Sequence, residues 1–220
     1  MFSAAIDGPS GAGKSSVSKE AARRLGFIHV DTGALYRALA YTAIKNDVKV
    51  FDTINIEKML CNTSISLSFD DNVQKVLVNG DDVTDKIRTE EVSMAASEIS
   101  KIPIVRAFLL ETQRKTALEN NVIMDGRDIA TVVLPNADLK VFYTASAEKR
   151  AERRYKELLA KNEKVEYNKV LEDVIKRDKQ DSERETAPLK PSEESIIVDT
   201  TDLNFEESVE TIVKLIRERM

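Results

Sequence analysis

Short apolar runs alternate with amphipathic stretches along most of the chain. The run 4–7 is almost entirely apolar, as expected for a buried parallel strand, and 16–25 places apolar side chains at helical spacing. Because repeated strand–helix pairs build a parallel sheet covered by helices on both faces, the pattern predicts an α/β fold. The further predicted strands are 27–31, 122–124, 139–145 and 195–199, and the further predicted helices are 34–45, 103–119, 147–161 and 205–219.

Residues 47–88 interrupt this alternation. Apolar residues alternate with serines at 65–69, and Asn79-Gly80 is a strong signal for a tight turn between two strands. The pattern predicts a small antiparallel sheet at about 63–84. Thr89 can then cap a further helix, with Glu90 in its first turn.

A second interruption is a highly charged stretch near the end of the chain. Residues 146–186 hold 12 basic and 11 acidic side chains, which is typical of a solvated helical hairpin. We therefore expect one folding unit whose core is interrupted by two inserted segments. The core is expected at 1–46, 104–155 and 187–220, the first insertion at about 47–103, and a helical lid at about 156–186.

The loop between the first strand and the first helix has a phosphate-binding pattern. It reads Gly8-Pro9-Ser10-Gly11-Ala12-Gly13-Lys14-Ser15-Ser16. Its glycines let successive backbone N–H groups point into one anion site. Lys14 supplies a positive charge for the β- and γ-phosphates of a nucleotide, and the Ser15 hydroxyl can bind Mg²⁺. An ordinary strand–helix turn is the alternative, but strand, loop and helix come in the order that a nucleotide site requires.

A second polar cluster follows the strand 122–124. It reads Asp125-Gly126-Arg127-Asp128, and ligands of open α/β sheets bind beyond the carboxyl ends of the strands. A salt-bridged turn is the alternative interpretation. The expected position beside the Lys14 loop favours a functional role.

One face of the second hairpin helix changes character along its length. Val170 and Val174 are followed on the same face by Arg177, Asp181 and Arg184. A solvated face is one interpretation. The other is a helix whose far end reaches over an anionic ligand that bears hydroxyl groups.

Composition narrows the function classes. A hydrophobic content of 42% and a charged content of 32% suit a soluble globular protein, and a net charge of −5 argues against binding nucleic acid through a basic surface. Cys61 is the only cysteine, which excludes an intrachain disulfide and fits a reducing cytosol. No apolar run has membrane-spanning length and the first strand leaves no room for a signal peptide, so we expect a cytoplasmic protein. His29, the only histidine, is assigned no role.

Spare arginines indicate the type of reaction. Transfer of a phosphoryl group to a small acceptor needs a second anion site and a lid that excludes water, whereas a regulatory switch needs a positioned water and a partner surface. Planar guanidinium groups suit phosphate recognition, so a kinase is favoured, and a non-enzymatic nucleotide-binding switch remains the alternative. The arginines in question are Arg37, Arg106, Arg127, Arg177 and Arg184.

Four motifs in order resemble those of bacterial cytidylate kinases. They are the loop 8–16, the segment Asp31-Thr32-Gly33-Ala34-Leu35-Tyr36-Arg37, the segment Asp125-Gly126-Arg127-Asp128-Ile129, and Arg177-Asp178-x-x-Asp181-x-x-Arg184 followed by Ala187-Pro188-Leu189. Adenylate kinases are less similar, because they usually carry Gly where Ser15 stands and lack the Thr32 segment. Ala130 departs from the Gly that is common in the family at this position.

The resemblance implies ATP-dependent phosphorylation of CMP and dCMP by direct in-line transfer, with Mg²⁺ as cofactor. A kinase for another nucleoside monophosphate, such as UMP, is the nearest alternative. The expected protein is a monomer whose partners are ATP and CMP or dCMP, with no nucleic acid and no membrane.

The resemblance also assigns roles to residues. The loop 8–16 with Arg153 and Arg154 would bind ATP, and Ser15 together with Asp125, acting through water, would hold the metal. Catalytic charge stabilisation would come from Lys14, Arg127, Arg177 and Arg184. The acceptor phosphate would be held by Arg37, Arg127, Arg177 and Arg184, the cytosine edge by Ser97, Arg106 and Asp128, and the sugar hydroxyls by Asp181, with Thr32 and Tyr36 in the pocket wall.

Overall fold

Strands form two separate sheets in the computed structural model, which describes residues 1–70, 73–160 and 162–220. Along the chain the strands are β1 (Ser3–Asp7), β2 (Ile28–Asp31), β3 (Ile65–Asp70), β4 (Val73–Val78), β5 (Asp81–Asp82), β6 (Val122–Gly126), β7 (Leu139–Thr144) and β8 (Ile196–Asp199). The larger sheet has the order β2–β6–β1–β7–β8, and each neighbouring pair is parallel. The smaller sheet, β3–β4–β5, is antiparallel.

Helices cover both faces of the larger sheet, which confirms the predicted fold class. One face packs against α1 and α8, and the other packs against α5 and a π-helical turn. The central strands are buried on both sides, which explains why their sequences read as continuous apolar runs. The helices are α1 (Lys14–Leu25), α2 (Thr32–Lys45), α3 (Thr53–Cys61), α4 (Glu90–Ile99), α5 (Pro103–Glu119), α6 (Ala147–Ala160), α7 (Tyr167–Glu183) and α8 (Phe205–Arg217), and the π-helical turn is Ile129–Val133.

The smaller sheet belongs to a second hydrophobic core. This core joins β3 and β4 to α2, α3, α4 and α5. Helix α3 was not predicted, although Ile56, Met59 and Leu60 have helical spacing and are buried in this core. The side chain of Asp52 caps α3 by accepting a hydrogen bond from the backbone N–H of Asn55. The capping residue and the helical spacing together would have been sufficient to predict α3 from the sequence.

Several predicted boundaries move by one or two residues. Helix α1 begins at Lys14 rather than 16, and α2 begins at Thr32 rather than 34, where the carboxylate of Asp31 accepts from the N–H of Ala34. Strand β8 begins one residue later than predicted, and α8 ends two residues earlier. Helix α6 follows the prediction to Ala160, and the predicted last residue, Lys161, lies outside the described residues.

The π-helical turn is a feature that the sequence pattern did not predict. It begins where the side chain of Asp7, at the end of β1, accepts hydrogen bonds from the backbone N–H groups of Ile129 (2.8 Å) and Ala130 (2.7 Å). Turns of this type are uncommon and occur often at functional sites. The two hydrogen bonds fix the backbone that directly follows Arg127 and Asp128.

Within the described ranges, no helix combines the length and the apolar character that crossing a bilayer would require.

Candidate active site

A cavity of about 840 Å³ opens at the carboxyl ends of the parallel strands. It extends from the loop after β1, past the segment after β6, to the beginning of α2 and the last turns of α7. Ligands of open α/β sheets bind at this edge because the strand order reverses there and the connecting loops diverge. The cavity is large enough for two small molecules side by side.

The loop before α1 approaches the sheet too closely for any side chain at its first position. A Cβ atom on Gly8 would lie 1.9 Å from the backbone oxygen of Tyr143, and the φ angle of Gly8 is +152°. Gly11 and Gly13 have φ angles of +74° and +96°. This backbone leads into α1 without a side-chain cap, so the first N–H groups of the helix remain available to an anion.

Gly8→Ala is expected to destabilise the protein by about 3 kcal/mol, since the overlap is with backbone that cannot move aside. Gly26→Ala is the matched control, because Gly26 also has a positive φ, +69°, but nothing lies within 4 Å of its added Cβ. That control is expected to cost about 1 kcal/mol. Urea unfolding measures both values, and equal losses for the two variants would contradict the close approach.

Lys14 is buried at the centre of the loop. Its Nζ donates to the backbone oxygen of Pro9 at 2.7 Å. Burial, together with the charge of Arg127, lowers the pKa of Lys14 to about 7, against the opposing influence of Asp125 and Asp7. An anion beside Nζ would restore the charged form, so this end of the cavity is suited to phosphate.

Asp125 connects three polar side chains at the end of β6. One carboxylate oxygen, Oδ2, accepts from the Ser15 hydroxyl at 2.7 Å, and the other, Oδ1, lies 2.6 Å from Nε2 of His29. Its backbone oxygen accepts from the Thr32 hydroxyl at 2.8 Å. Burial raises the pKa of Asp125, but contacts with His29, Lys14 and Ser15 outweigh burial and hold the pKa below its usual value.

These residues fit a magnesium ion. Mg²⁺ prefers oxygen ligands, and in nucleotide enzymes it binds one or two protein oxygens with the remaining positions taken by phosphate and water. The Ser15 hydroxyl and the Asp125 carboxylate are both oxygen donors, they lie 2.7 Å apart, and both line the cavity beside the Lys14 loop.

Two of the arginines in the cavity lining are held by carboxylates. Nε of Arg127 donates to Oδ2 of Asp181 at 2.8 Å, which joins the segment after β6 to α7. Nη2 of Arg37 donates to Oδ2 of Asp31 at 2.6 Å. Burial raises the pKa of Asp181, but the neighbouring arginine charges, Arg127 first, lower it below its usual value. Each guanidinium keeps further N–H groups for a ligand.

Two more arginines reach the cavity from the end of α7. Nε of Arg184 donates to the backbone oxygen of Ala187 at 2.6 Å, and its Nη2 lies 3.6 Å from Oδ1 of Asp128. Arg177 lines the cavity about two helical turns earlier on the same face. The charged part of the predicted stripe, Arg177, Asp181 and Arg184, therefore lines the cavity, whereas Val170 and Val174 pack against α6.

These arginines carry unused donor capacity. Among the described residues, six buried side-chain nitrogen or oxygen atoms have no hydrogen-bond partner, and three of them are Nε of Arg37, Nε of Arg177 and Nη2 of Arg184. Burial lowers the pKa of Arg177 and of Arg184, and the nearby charges of Arg127 and Arg106, respectively, lower them further. Crowded, desolvated cations with free donors form a site that favours a dianion.

A third group lies deeper beside the acceptor arginines. Arg106 forms an ion pair with Asp128, and its guanidinium carbon lies 5.5 Å from the ring centroid of Tyr36. Both partners of the pair are less than a tenth exposed. Ser97, on α4, lines the same end of the cavity. A hydroxyl, a guanidinium and a carboxylate there supply both donors and acceptors for the edge of a planar base.

The structure brings nearly all of the predicted site residues together. The cavity lining includes the loop from Ser10 to Ser16, Arg153, Asp125, and the whole predicted acceptor set of Thr32, Tyr36, Arg37, Ser97, Arg106, Arg127, Asp128, Arg177, Asp181 and Arg184.

Three predicted ATP-binding residues lie elsewhere. Gly8 and Pro9 lie behind the cavity wall, where they shape the loop. Arg154, on α6, is outside the lining as well, and its guanidinium pairs at 3.4 Å with Glu157, which does line the cavity. Its neighbour Arg153 is in the lining and donates to the backbone oxygen of Ala12 at 2.9 Å.

Two residues at the site were missed by sequence reasoning. His29 contacts Asp125 as described, and Arg150 is buried between the loop and α7. Arg150 donates to the backbone oxygen of Ser10 at 3.1 Å and, through both terminal nitrogens, to the carboxylate of Asp178 at 2.9 and 2.5 Å. A signal for Arg150 was its position on the same helical face as Arg153. No sequence signal identified His29.

Comparisons with known proteins agree with this geometry. The chain is 49% identical to a cytidylate kinase of Caldicellulosiruptor bescii over 96% of this chain and 93% of that protein. It is 48% identical to a cytidylate kinase of Geobacillus kaustophilus over 100% of this chain and 98% of that protein. The family description that matches residues 4–218 is that of cytidylate kinase.

Solved structures share the fold at much lower identity. The structure of shikimate kinase from Bacteroides thetaiotaomicron has a TM-score of 0.50 and 14% identity, with 98% of each chain covered. An uncharacterised protein from Eubacterium ventriosum has a TM-score of 0.53 and 13% identity, with 100% of each chain covered. Such identities support the architecture alone. The match over nearly the whole chain and the close relatives go further: this chain belongs to the cytidylate kinase family.

Proposed function

We propose that this chain is a kinase that transfers the γ-phosphoryl group of ATP to CMP and dCMP, forming CDP and dCDP. The observation that carries this proposal is one cavity with a phosphate loop at one end and, at the other, a set of half-buried arginines with buried nitrogen atoms that have no hydrogen-bond partner among the described residues. Two anions can therefore lie side by side. The similarity to proteins named cytidylate kinase supports CMP and dCMP over other nucleoside monophosphates as the acceptor.

The donor end would hold the triphosphate through the loop and Lys14. The N–H groups at the start of α1 and the buried ammonium of Lys14 would bind the β- and γ-phosphates. Arg153 reinforces the loop from behind through Ala12 and also lines the cavity. These contacts would neutralise the charge that develops on the transferred group.

The acceptor end would hold the phosphate of CMP through guanidinium groups. A monoester phosphate has a second pKa near 6, so most of it is already dianionic at neutral pH and no general base is needed. The obstacle is repulsion between two anions. Positive charge from both sides of the cavity would reduce that repulsion and hold the two groups in line. The groups that would supply it are Arg37, Arg127, Arg177 and Arg184.

Mg²⁺ would be held by the Ser15 hydroxyl, with Asp125 orienting its waters. When bound, the ion supplies charge neutralisation and alignment of the phosphates. Asp125 keeps the Ser15 hydroxyl directed through its 2.7 Å hydrogen bond.

We propose that the two parts outside the core bind the acceptor nucleotide and exclude water from the site. The insertion at 47–103 supplies Ser97 and the wall beside Arg106, and the lid at 156–186 supplies Arg177 and Arg184. Closure of the lid would shield the transferring phosphoryl group from water, which otherwise competes as an acceptor. We expect a monomer that acts on small molecules, and light scattering after gel filtration measures its mass.

An ADP-release assay tests the function directly. Parallel reactions contain ATP and Mg²⁺ with CMP, dCMP, UMP or AMP, and one contains no acceptor. We expect rapid turnover with CMP and dCMP and the lowest rate without acceptor. A rate without acceptor equal to that with CMP would indicate an ATPase or a switch. Faster turnover with UMP than with CMP would identify UMP, rather than CMP, as the preferred acceptor.

Selectivity for cytosine is expected to depend on Arg106 and Asp128. Arg106→Met and Asp128→Asn should each raise KM for CMP and reduce the preference for CMP over UMP by about tenfold, since loss of one base contact costs about 1–3 kcal/mol. Arg114→Met is a control on α5, because Arg114 binds the backbone oxygens of Val132 and Val133 rather than lining the cavity. An unchanged CMP-to-UMP ratio in both variants would remove the pair from base recognition.

A further inference from the structure

His29 is buried against the site but has no part in the mechanism described above. It is the only histidine of the chain and lies on β2, with 8% of its surface exposed. Strand β2 runs beside β6, the strand that carries Asp125, and His29 pairs with Ile123 of that strand. The parallel pairing places Asp31 directly opposite Asp125 and His29 two residues before it.

The contact between His29 and Asp125 is short and directional. Nε2 of His29 lies 2.6 Å from Oδ1 of Asp125. In three other ion pairs beside the cavity, the carboxylate of an Asp is bound by an arginine, whereas the partner of Asp125 here is an imidazole. Because an ionised carboxylate can only accept, Nε2 must carry the proton of this hydrogen bond.

The two oxygens of Asp125 therefore have different tasks. His29 occupies Oδ1, while Oδ2 receives the hydroxyl of Ser15 at 2.7 Å. Rotation of a carboxylate about its last bond is soft, so without a partner on Oδ1 the group can turn. Leaving a buried carboxylate oxygen without a hydrogen bond costs free energy, so a rotated Asp125 would bind another donor. The buried ammonium of Lys14 is a charged neighbour of Asp125 and is such a donor.

We propose that His29 is a positioning residue for the magnesium site: by holding Oδ1 of Asp125, it keeps Oδ2 on the Ser15 hydroxyl and keeps Asp125 from engaging Lys14. This inference rests on the proposed function, since Ser15 is there the ligand of the ion. Residues that do not bind a metal themselves but hydrogen-bond to the groups around it fix the orientation of those groups. Loss of such a residue typically lowers metal affinity or activity by about 10–100-fold.

Three substitutions separate the hydrogen bond from packing. The side-chain nitrogen of Gln can take the position of Nε2, whereas that of Asn is one carbon too short, and Leu has no donor. His29→Gln should therefore behave like the wild type, and His29→Asn and His29→Leu should both be defective. Melting temperatures of all three report on folding separately.

The measurement is ADP binding by calorimetry with Mg²⁺ and with EDTA, which needs no turnover. In the wild type and His29→Gln, we expect Mg²⁺ to strengthen ADP binding to the same degree. In His29→Leu and His29→Asn, that strengthening should fall about tenfold, while ADP affinity in EDTA and CMP affinity change less than about twofold. Equal Mg²⁺ effects in all four proteins, or equal loss in all three variants, would overturn the proposal.

Nitrogen NMR of the metal-free protein gives a second readout. Because the chain has one histidine, its imidazole signals need no assignment. We expect a proton on Nε2 in the wild type, and a proton on Nδ1 alone would overturn the proposal. If the variants behave as expected but the wild type does not phosphorylate CMP, the proposed function fails while the positioning role of His29 stands. If CMP is phosphorylated and the variants bind Mg·ADP equally, only the role of His29 fails.

Discussion

Lys14→Met should lower kcat by about 10³-fold, because it removes a preorganised positive charge from a desolvated site where charge develops on the transferred phosphoryl group. The methionine side chain keeps nearly the same volume, so packing around the loop is retained. Lys19→Met is the matched control, since Lys19 lies on the same helix with its side chain exposed. Steady-state kinetics with CMP and ATP measure both variants. A Lys14→Met enzyme within tenfold of the wild type would refute the proposed mechanism.

The same substitution should not destabilise the fold. Lys14 has a pKa of about 7 in the folded protein and about 10.5 when unfolded, so the unfolded chain binds more protons between these values. The buried lysine therefore lowers the stability of the wild type below pH 7, and this penalty disappears as the pH rises towards 10.5. We expect Lys14→Met to be at least as stable as the wild type at pH 7, with a difference that shrinks at higher pH. Thermal unfolding of the ligand-free proteins across this range measures it.

Arg177→Gln should lower kcat/KM for CMP by about 10²-fold or more, since hydrogen bonds between charged groups contribute about 1.5–3 kcal/mol each and a guanidinium can make two to a phosphate. The observation behind this magnitude is that Arg177 is half-buried and that its buried Nε has no partner among the described residues. Its donor capacity and its charge are therefore available to the ligand.

Lys176→Gln removes the same charge from the adjacent position, where the side chain is exposed. Its kinetics should remain within about twofold of the wild type, since exposed charges interact weakly with a screened site. In Arg177→Gln the loss should appear with CMP and leave the affinity for ADP nearly unchanged. If ADP affinity falls as much as CMP turnover, Arg177 serves the donor rather than the acceptor.

Local patterns were sufficient to predict the architecture. The apolar runs at β1 and β6 are continuous because those strands are buried on both faces, and this signal depends on each strand alone. The phosphate loop is equally local, since its glycines and Lys14 are neighbours in sequence. Proximity of Asp125 to that loop could also be predicted, because parallel strands end at one edge of the sheet.

Features that depend on strand order and helix rotation could not be predicted. His29 meets Asp125 only because β2 lies next to β6, and these residues are far apart in sequence. The π-helical turn after Asp128 depends on Asp7 in the same way. Arg153 and Arg154 are adjacent, but the roughly 100° rotation between successive helix positions gives their guanidinium groups different partners, the backbone oxygen of Ala12 for Arg153 and the carboxylate of Glu157 for Arg154.

Arg150 has a mechanical consequence for how the enzyme would work. It is bonded at once to the backbone of the phosphate loop, at Ser10, and to Asp178 on the helix that carries Arg177. A shift of that helix must either break this buried ion pair or pull on the loop. In the proposed mechanism this contact would tether the donor pocket to the acceptor pocket, so a nucleotide that tightens one would help to align the other before both are filled.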